Sequence, residues 1–270
     1  MDSYDLMSWL QAIVRWIHVF AAILWIGQTY LFNFLERNLE PEVEKKNVFG
    51  KLWLVHGGGF YRVEKQRVPE VMPLTLHWFK WEAAATWLSG AVLITLTYYL
   101  GGYLIEPDMN YPLAVASGVG VLVIGWVVYD GLLRSPLGKN TIAFSAVCLL
   151  LVLGLHFGLT HVLSERAAFI HIGAMFGTIM AANVWMRILP AQRKMIAAAK
   201  SGGDPPSAIS VMGSQRSLHN SYMVVSLVFI MISNHYPTIS YANQYNTFIL
   251  GGLILLGFGV ARLFRGKTAQ

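Results

Sequence analysis

Eight histidines are scattered through this chain, and most of them lie in or beside long apolar runs. An imidazole can ligate a transition metal through one ring nitrogen, and it exchanges a proton near neutral pH. His18, His156 and His171 fall inside apolar runs, while His77 and His219 stand at the start of two others. His56 precedes Gly57, Gly58 and Gly59, where backbone can approach a ligand closely. His161 and His235 sit at run ends and are expected to be solvated. Ionisable groups in hydrocarbon are costly, so they tend to face a bundle interior and to serve a function. Two imidazoles from different helices, held at one depth in an apolar cavity, are what a non-covalent b-type haem needs as axial ligands. The other reading is that each is a hydrogen-bonded interhelical histidine.

Depth sorts these residues into two groups. His18 lies roughly 12 Å into its run, and His156 and His171 roughly 6 to 8 Å from the same side, at 1.5 Å per residue. These three could ring one outer haem site. His77 and His219, with His56 from the intervening loop, form an inner group, so one or two haems could be held through His18, His156, His171, His77 and His219. Arg15 is one turn from His18 and could pair with a haem carboxylate or snorkel to headgroups. His77, Trp81, Ala84 and Leu88 have helical spacing and would share a face. Asp130 and Arg134 are four apart, which suits an intrahelical ion pair. With Glu82, Gly57 and Gly58 they could instead line a pocket for an anionic planar substrate. His56 or His77 would then be the catalytic base. Asn183, Asn220 and Asn234 read as interhelical hydrogen-bonding groups.

The elements that must position these residues follow from composition. Of 270 residues, 55% are hydrophobic and 13% charged, against about 25% charged in soluble domains. An integral membrane protein is expected, built as an all-α transmembrane bundle. Seven runs are long enough to cross about 30 Å of hydrocarbon: Trp9 to Leu35, Trp78 to Leu100, Pro112 to Leu133, Thr141 to His161, Ala167 to Leu189, Leu218 to Asn234 and Tyr245 to Phe264. Basic residues collect in alternate loops, among them Lys45, Lys46, Arg67, Arg187, Arg216 and Lys267, and only Arg166 lies in the opposite ones. The positive-inside rule then puts the N-terminus outside and the C-terminus inside. The net charge of +6 reports topology in the lipid bilayer, so no nucleic-acid partner is expected. Residues 1–270 read as a single membrane domain, with an inner-face loop over 36–77 and an inner-face linker over 190–217. The loop around the glycines could form an interfacial hairpin. Gly173, Gly177 and Ala181 form a small-residue face suited to close helix packing. The acids near the start do not suit a cleavable signal, so the first run is expected to be a retained helix. Cys148 stands alone, and no CxxCH sequence occurs, so no haem c is expected in this chain.

Several strings resemble one family. HGGGFY (56–61), LHWFKWEAAATWLSG (76–90), VYDGLLRSPLGK (128–139), HIGAMFGTIMAANVW (171–185) and SNHYP (233–237) are similar to the membrane domain of bacterial cytochrome-type urate hydroxylases, the urate oxidase N-terminal domain family. The resemblance begins at RWIHVFAAILWIG and covers most of the chain. It implies a bacterial inner-membrane (cytoplasmic-membrane) enzyme that oxidises urate with water and passes electrons towards a cytochrome c. His18, His56, His77, His171 and His219 match histidines of those strings. Family members typically continue into a c-type haem domain, so a separate cytochrome c or another electron acceptor is expected here. HNSYMVVSLVF (219–229) departs from the family's usual HNNYLTLPVLF, which leaves the substrate open to urate or a related compound. Two alternatives remain: a non-catalytic electron-transfer or anchoring subunit of a larger membrane complex, and a transporter or metal-handling protein. The latter arises because WIHVFAAILWIG also resembles the first helix of copper-resistance-type membrane proteins.

Overall fold

The computed structural model describes residues 3–42, 47–204 and 206–265. Lys45, Lys46 and Lys267 of the expected basic set lie outside the described residues. Helix α1 runs Ser3–Asn38, with Asp5 in its first turn and Arg37 in its last, each complementing the helix dipole. Strands β1 (Val48–His56) and β2 (Gly59–Gln66) follow, then α2 (Trp81–Ile94), which continues as a π-helical turn over Thr95–Tyr99. The rest is helical: α3 (Tyr111–Arg134), α4 (Thr141–Leu159), α5 (Glu165–Asn183), α6 (Leu189–Lys200), α7 (Ser207–Ile232) and α8 (Asn246–Arg265).

Side-chain caps start the central helices where the sequence changes from loop to apolar run. Asn110 accepts from the Leu113 amide at 3.0 Å, Asn140 from Ala143 at 3.0 Å, and Ser164 from Ala167 at 3.2 Å. A second π-helical turn, Val184–Ile188, joins α5 to α6, so one helical rod spans residues 165–200.

Among the described residues five helical stretches are long and apolar enough to cross a membrane: α1, α3, α4, the α5–α6 rod and α8. Two of the seven expected runs differ. The regular part of α2 is 14 residues long. Helix α7 has 26 residues but carries Gln215, Arg216, His219 and Asn220 within its span. It also begins eleven residues before the expected Leu218. Of the expected 190–217 linker, residues 190–200 belong to α6 and 207–217 to α7.

The bundle is built around α5. In its most apolar window 78% of residues are buried, against 6% in α1. Gly173 and Gly177 face α7, where a Cβ on Gly173 would lie 2.7 Å from Ile230 Cγ2. The small-residue stripe is therefore a packing face, as the spacing predicts. Helix α1 leans on α2 and leaves Trp9, Trp16, Phe20 and Ile23 exposed, whereas Asp130, His156, His171, Asn183 and Arg216 are buried. Apolar side chains outside and polar ones inside suit a solvent of lipid.

The chain is mostly helical as expected, and the hairpin expected around the glycines forms as β1–β2. Val55 pairs Phe60 and His56 pairs Gly59 across a two-residue turn. Gly57 and Gly58 have φ of +59° and +79°, the pair of positive angles that tight hairpin turns need and glycine supplies freely. Glu40 bridges Lys51 by backbone hydrogen bonds of 2.8 and 3.0 Å, which ties the hairpin to the end of α1.

Candidate functional site

Buried polar residues on α3, α5 and α7 converge where these helices pack. Arg216 of α7, 2% exposed, places its NH2 group 2.6 Å from Asp130 Oδ1 on α3. Arg187, in the π turn after α5, grips the same carboxylate through Nε at 2.9 Å and through its NH2 group. Arg134 stands further off, at 3.6 Å from Oδ2, with its side chain 68% exposed. The intrahelical pair expected from spacing is thus the weakest of three, and Arg187 and Arg216, which the charge pattern places with the inner loops, turn inward to Asp130. One carboxylate facing three guanidinium groups leaves a surplus of positive charge. Arg216 Nε is buried without a partner.

From Arg216 a chain of hydrogen bonds reaches His219. The Arg216 NH1 group donates to Asn183 Oδ1 at 3.4 Å, which turns the amide nitrogen of Asn183 towards Asn220 Oδ1 (3.0 Å) and the Tyr129 hydroxyl (3.3 Å). Asn220 Nδ2 is fixed in turn by the Met180 carbonyl at 3.0 Å. The Tyr129 oxygen therefore accepts from Asn183, and its proton goes to His219 Nδ1 at 2.8 Å. His219 then carries its own proton on Nε2. Phe144 lies nearly parallel to the imidazole, with centroids 5.5 Å apart.

His219 and Tyr129 line one end of a cavity of about 1060 Å³ between α3, α4, α5, α7 and α8. Its walls are almost wholly apolar.

His18 and His171, also at membrane depth, have the opposite arrangement. His18 Nδ1 lies 2.9 Å from the Thr86 carbonyl and 3.1 Å from Ser89 Oγ on α2. His171 Nδ1 lies 2.7 Å from the Ala167 carbonyl. A carbonyl only accepts, so both rings carry the proton on Nδ1 and present a lone pair at Nε2. His156 Nδ1 lies 2.9 Å from Thr247 Oγ1, a hydroxyl that can donate or accept. Tyr99 caps His171 Nε2 at 3.0 Å. His156 Nε2 is buried and unpartnered. Glycines make room for two of these rings: a Cβ on Gly90 would lie 3.0 Å from His18 Cε1, and one on Gly118 would lie 2.9 Å from His171 Nε2.

These side chains have different neighbours. His18 faces α2, His171 faces α3 and the π turn after α2, and His156 faces α8 and Phe169. Among the described residues no group of three or more His, Cys, Asp and Glu could hold a metal ion. Arg15 is exposed on α1. His56 is exposed at the hairpin tip beside Gly57 and Gly58. His77 precedes α2, so the expected shared face with Trp81 is corrected. Helix α2 begins only after Lys80, whose ammonium lies 5.8 Å from the Trp78 ring centroid and 5.2 Å from that of Trp81, and His77 packs edge-on against Phe79 instead. Glu82, in the first turn of α2, has a buried Oε2 without a partner. His161 and His235 are exposed, as expected for run ends.

Long apolar helices enclosing a buried network of imidazole, guanidinium and amide groups define a helical bundle of the kind that lives in membranes. The urate oxidase N-terminal family model matches residues 4–270. The chain belongs to that family. No curated protein and no solved structure matches it.

Proposed function

We propose that this chain is a membrane-embedded haem-b oxidoreductase that oxidises urate, or a related small planar anion, at its inner face and passes electrons to a separate cytochrome c. The observation that carries this reading is the buried, unpartnered Nε2 of His156, beside the shared tautomer of His18 and His171. His18 and His171 hold Nδ1–H on backbone carbonyls, the usual preparation of a metal-binding imidazole, and the Tyr99 hydroxyl on His171 Nε2 would give way to a bound metal. The buried, unpartnered Nε2 of His156 fits such a group most plainly. His18, His156 and His171 are therefore the residues that would hold haem, and bound haem would supply one-electron steps.

The protein's own residues do the rest. Conversion of urate and water to 5-hydroxyisourate releases two electrons and two protons. The surplus positive charge around Asp130 favours an anionic substrate. His56 or His77, both exposed, would take up a proton from the substrate. In this reading α2 with its π turn and α7 complete seven spans, and the basic loops keep the C-terminus inside. The test is anaerobic addition of urate to oxidised, purified protein. Reduction of a b-type visible spectrum supports the reading, and an unchanged haem spectrum removes urate as substrate.

A further inference from the structure

The large cavity extends beyond what a purine would fill. Its wall follows α4 from Thr141 to Leu159, a path of roughly 27 Å at 1.5 Å per residue. Gly154 and Gly158 open that wall, and a Cβ on either would meet nothing within 4 Å. Polar and aromatic groups gather near one end, at Tyr129, Phe144, His219 and Tyr222. The occupant must therefore be long and apolar, with a flat head that accepts a hydrogen bond. Phe144 and His219 lie within 26° of parallel, an arrangement that suits a ring placed beside them. Because Tyr129 holds the His219 proton on Nε2, the head must be an acceptor such as a carbonyl.

We propose that this cavity binds a membrane-soluble quinone, its ring carbonyl accepting from His219 Nε2–H and its isoprenoid tail lying along α4. A phospholipid would share the tail but needs cations for its phosphate, and Arg262 is the one cationic side chain lining the cavity among the described residues. The site does not depend on the haem reading, since none of His18, His156 and His171 lines it.

The test is titration of the purified protein in detergent with decylubiquinone, followed by quenching of tryptophan fluorescence. Saturable quenching is expected. His219→Phe should weaken it by about five- to tenfold, the worth of one hydrogen bond, whereas His219→Gln, which keeps a donor, should stay within about threefold. Gly154→Leu puts a side chain into open cavity space and should also weaken binding without unfolding the helix. Non-saturable quenching, or affinity unchanged in both His219→Phe and Gly154→Leu, overturns the proposal. Phosphatidylglycerol displacing the quinone at equal concentration also overturns it, in favour of a lipid site.

Discussion

Arg216 and Asp130 meet at 2.6 Å inside the bundle, joining α7 to α3 across the central helix α5. A buried pair is costly to form, but removing one partner strands the other. Asp130→Asn would leave Arg187 and Arg216 facing each other without their shared counter-ion. Loss of about 3 to 5 kcal/mol is expected, the range for breaking a buried ion pair. Arg134→Ala removes only an exposed partner and should cost less than about 1 kcal/mol. Thermal unfolding in detergent compares the two variants, and equal losses would contradict the ranking.

The hydrogen-bond chain from Arg216 to His219 predicts tautomers that nitrogen NMR of labelled histidine can read. His219 should carry its proton on Nε2, while His18 and His171 carry theirs on Nδ1. Tyr129→Phe removes the donor to His219 Nδ1 and should release that preference, at a cost of about 1 kcal/mol in stability. His219 spectra unaffected by the change would show that Tyr129 does not set the proton.

Two glycines act through the space they leave. Gly118→Ala would press a methyl against His171 Nε2 and the Tyr99 hydroxyl, and Gly90→Ala one against His18. Overpacking of about 1 to 3 kcal/mol is expected at each. Gly252→Ala, which meets nothing within 4 Å in α8, is the control and should be neutral or slightly stabilising. Equal melting temperatures for all three would rule out the cradles.

His56 stands at the tip of a turn that only positive φ angles allow, at Gly57 and Gly58. His56→Ala leaves that turn intact, so a base role predicts a large fall in urate turnover with an unchanged visible spectrum. Undiminished turnover would pass the role to His77, whose alanine variant then becomes the informative one.

Much of this architecture is legible in the sequence because lipid demands long apolar runs. The turn around Gly57 and the stripe of Gly173 and Gly177 are also legible, since glycine spacing has direct geometric meaning. The start of α2 is not legible, because His77 has helical spacing from Trp81 while the turn at Lys80 between two indoles leaves no mark in the periodicity. The Arg187 and Arg216 contacts with Asp130 were hidden for another reason. Their charge matches the inner-loop pattern, and only three-dimensional packing shows them turned inward. One signal was present: Arg216, His219 and Asn220 have i, i+3, i+4 spacing, which predicts one polar helical face and an earlier start for α7. Nothing in the spacing could show which ring nitrogen each histidine presents, because that depends on partners 68 to 91 residues away for His18, His219 and His156.

The central claim is that haem b is held through histidines drawn from His18, His156 and His171. The most direct measurement is pyridine haemochrome quantification of the protein purified from haem-replete cells, beside single alanine variants of these three histidines checked for intact helix content. Stoichiometric haem b in the parent, lost or reduced in the folded variants, is the predicted result. A parent protein with no Soret band, even after reconstitution with haemin, would contradict it.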